Sequence, residues 1–212
     1  MISLPVLRGP ARGIRVPLAE PRYLLGSYER SVQGVLVAHL RPGDVFWDVG
    51  AHVGFFTLLG SRLVGARGRV HAFEPLPRNR RRLEAALEAN RSTNVEVHEL
   101  AVTSSTGEAP LRGHRSSAMW SLMDNRGTDE RVTTPTTTLD DLRGSFEPPQ
   151  VVKVDVEGVE YEVMRGGAQF LDEHRPLLVV EFFPSSVPYA QRLLPFYAFE
   201  ELGGGHWLGR PR

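Results

Sequence analysis

The chain has 212 residues, enough for one domain with a sizeable core, and its 41% apolar and 24% charged residues are ordinary for a water-soluble globular protein. Its 25 basic and 25 acidic residues cancel, so no long-range field draws it to nucleic acid or to an anionic membrane. Cysteine is absent, which excludes disulfides, thiol chemistry and thiolate metal sites, and no apolar run approaches the roughly 20 residues of a bilayer span.

The opening MISLPVLRGPARGIRV is too broken by Pro, Gly and Arg for a signal-peptide core, and a cytoplasmic protein is expected. GSYERSVQGVLVAHL is expected to be an N-terminal helix within a segment, 1–43, that belongs to the same domain as 44–212. DVFWDVG (44–50) predicts a first strand entering a glycine turn, and GFFTLLGSRLV (54–64) a helix. RVHAFEP (69–75) predicts a second strand stopped by Pro75, and RNRRRLEAALEAN (78–90) a helix with Leu83 and Leu87 one turn apart. NVEVHELAV (94–102) predicts a third strand.

From 103 to 150 the rhythm loosens into Ser, Thr, Gly and Pro, the composition of a small hairpin and a loop over a site, with TLDDL (138–142) as a short capped helix. VVKVDV (151–156) predicts a fourth strand and VEYEVMRGG (159–167) a helix closed by its glycines. PLLVVEFF, ended by Pro184, is the fifth strand, and FYAFEELGGGHWLG reads as two strands around a glycine turn. Short apolar runs alternating with amphipathic stretches predict an α/β, Rossmann-like, doubly wound and mostly parallel sheet of seven strands.

In such sheets ligands lie beyond the carboxyl ends of the strands, at the switch point between the first and fourth. Asp48 ends the first strand there, followed by Gly50, Ala51, His52 and Gly54. The spacing G-x-x-x-G lacks the dinucleotide fingerprint, and Asp48 would repel a phosphate. Glu74, before Pro75, ends the second strand, where an acid can accept hydrogen bonds from both ribose hydroxyls. The pair asks for a nucleoside with a cationic appendage and no phosphate, which describes S-adenosylmethionine. Adenine is expected beside the end of the third strand, at Glu99, Leu100 and Ala101.

Lys153 is the sole lysine among the 25 basic residues. It shares one side of its strand with Asp155, and Glu157 and the fifth-strand Glu181 are close in the expected topology. A bare cation would repel a sulfonium, so Lys153 is expected to pair with Asp155 or Glu181 and to fix these acids. Asp155 and Glu157 are the candidate general bases. Asp155, Glu157 and Glu181 could hold a hard divalent ion, but Lys153 competes for them, and no metal is expected.

These motifs resemble the FkbM family of S-adenosylmethionine-dependent methyltransferases: YE (28–29), DVGAHVGFFT (48–57), AFEP (72–75), LAV (100–102), TTLDDL (137–142), VVKVDVEGVEYEVMRGG (151–167) and PLLVVEF (176–182). Its most specific element here is K-x-D-x-E-G-x-E. The chain departs from the family pattern at His52, where Asn is usual. The resemblance implies a class I methyltransferase fold and O-methylation of a hydroxyl on a sugar or natural-product scaffold. It also implies an N-terminal segment that caps the cofactor pocket, where composition alone would equally make an amphipathic cover, and Tyr28, Glu29 and Glu181 are the residues expected at the small-molecule acceptor. The rivals are a nicotinamide-dependent oxidoreductase, disfavoured by the missing fingerprint, and a non-catalytic nucleoside-binding protein.

Other features point less far. RNRRRL reads as the exposed face of a helix, with Glu84 and Glu88 at i,i+4 spacing, before it reads as a nucleic-acid patch. His39, His71, His98, His114, His174 and His206 show no ligand spacing. HRSSAMWSLMD (114–124), with Met119, Trp120 and Met123, is a candidate lining for the acceptor.

Overall fold

In the computed structural model the described residues are 3–17, 21–113, 120–121 and 131–212; His114, Met119 and Met123 lie outside them. A hairpin, β1 (Ser3–Pro5) and β2 (Arg15–Pro17), and two helices, α1 (Pro21–Leu25) and α2 (Arg30–His39), precede the main sheet. Then come β3 (Val45–Val49), α3 (Phe55–Val64), β4 (Arg69–Phe73), α4 (Pro77–Asn90) and β5 (Val95–His98). Four short strands follow: β6 (Ala101–Val102), β7 (Gly107–Gly113), β8 (Trp120–Ser121) and β9 (Arg131–Thr137). The chain ends with β10 (Val151–Val154), α5 (Glu160–Arg165), α6 (Ala168–His174), β11 (Leu177–Glu181), α7 (Val187–Leu193), β12 (Tyr197–Gly203) and β13 (His206–Pro211).

The main sheet has seven strands in the order β12-β13-β11-β10-β3-β4-β5. Pairing is parallel from β11 to β5, and β13 and β12 add antiparallel. The chain runs outward from β3 in one direction and resumes at β10 on its other side, so the switch point lies between β3 and β10.

Every residue of β3 is buried, because helices cover both faces. Alternation divides its side chains: Phe46 joins a core with α2, α3 and α4, while Val45, Trp47 and Val49 join one with α5, α6 and α7. Val6, Ile14, Val16 and Tyr23 of the N-terminal segment belong to the first of these cores. Among the described residues no helix is long and apolar enough to cross a membrane.

The expected elements recur with three corrections. Tyr28 and Glu29 precede α2 instead of lying in it; Glu29 is its N-cap, with left-handed φ of 40°. NVEVHELAV divides, β5 staying in the main sheet and β6 pairing with β9 in a separate four-stranded sheet. TLDDL makes a turn, since Asp140 is drawn off to accept the Phe170 N–H (2.7 Å) at the start of α6. Gly166 closes α5 as expected, where a Cβ would stand 2.3 Å from the Thr103 carbonyl oxygen, and α6, which was not expected, follows directly after Gly167. The hairpin expected within 103–150 is β7 and β9, paired antiparallel.

Candidate active site

The turn after β3 is fastened before any ligand is considered. The Gly50 and Ala51 N–H groups both donate to the Phe73 carbonyl at the end of β4, each at 3.0 Å. Gly50 has φ of 83°, and a Cβ on it would sit 1.8 Å from the Asp155 carbonyl oxygen. Gly54, φ 91°, would meet Leu83 of α4 at 2.3 Å. Both glycines are thus required by neighbouring protein atoms, and they let β3, β10 and α4 converge at the switch point.

Glu74, 5% exposed, knits the second strand end to this turn. Its Oε2 accepts the His52 N–H (2.8 Å), while its Oε1 accepts the Leu76 N–H (2.9 Å) and the Asn79 amide (3.2 Å). Burial still pushes its pKa up to about 7 against these bonds. The His52 imidazole is held neutral, its pKa pushed down by burial.

A cavity opens here, lined by Tyr28, Gly50 and His52, by Glu74–Leu76 and Leu100–Val102 beyond β4 and β5, and by Asp155–Glu157 beyond β10. Of the residues expected at the cofactor, Gly50, His52, Glu74, Pro75, Leu100, Ala101 and Asp155 line it. Ala51 and Gly54 stand behind the turn and Asp48 beneath it, fully buried. Glu99 is not a lining residue: its carboxylate turns outward to pair with Arg80. Asn79, Leu76 and Leu111 line the cavity without having been singled out. Asn79 was hidden in the arginine run that reads as an exposed face, yet it is 3% exposed.

Below the cavity Lys153 is buried between two acids. Its Nζ is 3.0 Å from Asp155 Oδ2 and 3.6 Å from Asp48 Oδ1, with the Phe56 ring centroid 5.2 Å away. Strand register makes the Asp48 contact, since Lys153 and Asp48 are direct partners across β10 and β3. Asp48 Oδ2 accepts the Thr57 hydroxyl at 2.6 Å. Burial opposes charge on all three groups, but the two acids outweigh it at Lys153, whose pKa is raised. Burial is the largest single influence on Asp155 and pushes its pKa up, but Lys153, the hydrogen bond from Glu181 and His206 together outweigh it, and the pKa is lowered. At Asp48 burial wins and the pKa is raised. The expected pairing with Asp155 is therefore present, and the second partner is Asp48 in place of Glu181.

A second cavity adjoins the first, lined by Tyr28, Glu29, Asp155, Glu157, Glu181 and Phe183 among others. Tyr28, Asp155 and Glu157 line both. Glu157 takes a left-handed φ of 58° at the junction, and burial, then Asp155, push its pKa up to about 7. Glu181 is pushed further, to about 9, by burial and by Asp155, so at neutral pH it carries the proton of the Glu181–Asp155 hydrogen bond. Glu29 Oε2 meets His206 Nε2 at 3.1 Å. Glu160, the last acid of K-x-D-x-E-G-x-E, accepts the Val156 and Gly158 N–H groups (3.1 and 2.9 Å) and so holds the loop that presents Glu157.

Residues 48–202 match the model of the methyltransferase FkbM domain. The chain is 31% identical over 140 residues to the hexuronic acid methyltransferase AglP of Haloferax volcanii, covering 65% of this chain and 56% of that protein. The crystal structure of methyltransferase FkbM from Methylobacillus flagellatus superposes with a TM-score of 0.58 at 16% identity, over 91% of this chain and 56% of that one. The chain thus spans about half the length of these two relatives. A putative methyltransferase from Streptococcus mutans, solved with SAH, superposes with a TM-score of 0.52 at 11% identity, over 84% and 93%. These likenesses confirm the class I methyltransferase fold.

Proposed function

The chain belongs to the FkbM methyltransferase family, and we propose that it uses S-adenosylmethionine to O-methylate a hydroxyl of a sugar or sugar-like small molecule. The observation that carries this reading is the meeting of two cavities at Tyr28, Asp155 and Glu157. A transferase needs such a junction, because donor and acceptor must be held in line across a short gap.

The first cavity fits the cofactor. It offers acids in place of a phosphate cradle, with Glu74 at the ribose and Asp155 toward the cationic end, and Leu76, Leu100, Ala101 and Leu111 as apolar walls for adenine. When bound, S-adenosylmethionine supplies a methyl group made electrophilic by its sulfonium. Lys153 lies within the sheet behind Asp155, so the cavity meets the carboxylate and not the ammonium. The acidic side chains Glu29, Glu157 and Glu181 of the second cavity, the last as a protonated donor, suit a ring bearing hydroxyls, and exposed Phe183 offers it an apolar face. Glu157 takes the proton of the acceptor hydroxyl; a pKa of about 7 matches a general base working near neutrality.

Thermal shift and calorimetry with S-adenosylmethionine, S-adenosylhomocysteine and NAD test the first half; stabilisation by NAD alone overturns it. Release of S-adenosylhomocysteine with a panel of neutral and acidic sugars tests the second. Glu157→Gln is expected to lower kcat by roughly 100- to 10,000-fold while cofactor affinity is kept. In the wild type kcat should rise with pH through about 7 as Glu157 loses its proton. That limb disappears in Glu157→Gln, and its persistence there would assign the base elsewhere.

A further inference from the structure

On the other face of β4, away from the acids, the sheet gathers a second set of polar side chains. Parallel pairing sets His71 opposite Glu96 and Phe73 opposite His98, so residues far apart in sequence come to share one patch. His71 Nδ1 and His98 Nε2 are 3.0 Å apart, and His71 Nδ1 is 3.7 Å from Glu96 Oε2. Among the described residues these are the one set of three metal-ligating side chains whose ligand atoms all lie within 4.8 Å of one another.

We propose that His71, His98 and Glu96 form a zinc site that clips the edge strand β5 to β4. Two imidazole nitrogens on a tetrahedral zinc stand roughly 3.3 Å apart for bonds of about 2.0 Å, close to the contact seen here. His71 is buried, and its other nitrogen, Nε2, has no hydrogen-bond partner and lies 3.8 Å from Glu147 Oε2. At 3.8 Å this is not yet a hydrogen bond, but a small shift of exposed Glu147 would make one, and a carboxylate accepting the far N–H of a ligating histidine orients the ring and makes it a stronger ligand.

The surroundings favour the same chemistry. The Phe146 ring covers both imidazoles at 4.4 and 4.7 Å, and Phe73 stacks on His98 at 4.7 Å. Burial lowers the pKa of both histidines, which keeps them in the neutral form that binds metal. Glu96 is exposed at the sheet edge, so the ion has an entry path and water for its fourth position. Imidazole and carboxylate ligands select zinc over magnesium, which prefers all-oxygen sites.

The test is calorimetric titration of chelator-stripped full chain with Zn²⁺, with Mg²⁺ as control. One zinc per chain and a rise in melting temperature are expected, with neither from Mg²⁺. Glu147→Gln, which removes the orienting carboxylate, should weaken zinc by roughly 10- to 100-fold with stoichiometry unchanged. His98→Gln should abolish stoichiometric binding. Should His98→Gln fail to fold, X-ray absorption of the zinc-loaded wild type reads the ligands directly, and two imidazole scatterers at about 2.0 Å are expected. Absence of stoichiometric zinc overturns the proposal. So does zinc that persists in His98→Gln but is lost in Glu157→Gln, which would place the ion among the acids of the other face.

Discussion

Glu74 and Asp155 stand on either side of β3, at the ends of β4 and β10, and the protein holds these two buried acids by different means. Glu74 receives three neutral donors, from His52, Leu76 and Asn79, yet its pKa is pushed up to about 7. Asp155 has a buried ammonium 3.0 Å away, and its pKa falls. Neutral donors aim a carboxylate; a cation keeps it ionised. The Glu74 end of the first cavity therefore has an oriented acid that titrates near neutrality, and the Asp155 end, where the two cavities meet, has a carboxylate held in its ionised form.

The largest expected effect comes from removing the cation. Lys153→Met leaves Asp48 and Asp155 buried without a counter-charge, and unfolding in denaturant should show a loss of about 3–5 kcal/mol. A Met variant as stable as the wild type would break the comparison. Lys153→Arg keeps the charge but must fit a planar guanidinium against Phe56, and weaker cofactor binding is expected by calorimetry.

Next in size is Glu74→Gln, which faces the His52 or Leu76 N–H with an amide donor. Affinity for S-adenosylmethionine should fall by about 1–3 kcal/mol, and unchanged affinity would remove Glu74 from the ribose.

The smallest effect is on the pH dependence of stability. Glu74 and Glu181 have folded pKa values raised above their ordinary 4.5, to about 7 and about 9, so the folded state keeps protons that the unfolded chain releases. Their contribution to stability is full below pH 4.5 and declines as pH rises through those values. Glu181→Gln keeps a donor for Asp155 and removes the titration, so melting temperature should flatten between pH 7 and 9. An unaltered slope would show that the two acids do not share a proton.

Much of this was legible in residue order. Burial of β3 on both faces writes a continuous apolar run, and Gly50, Glu74 and Asp155 mark strand ends, where the chain turns and polar groups are admitted. Less legible was whatever depends on which strands lie side by side. Asp48 as the second partner of Lys153 follows from β3–β10 register, and the contact of His71 with His98 from β4–β5 pairing. Glu99 was expected at adenine because it adjoins Leu100, but Arg80 turns it outward.

The sequence by itself determined the class of fold, the order of the parallel strands' ends and the residue types gathered there, since periodicity and turn chemistry are local. The tertiary structure decided which acid meets the lone lysine, where two cavities join and which histidines touch. Those depend on register and on helix packing, which bring together atoms that local pattern leaves far apart.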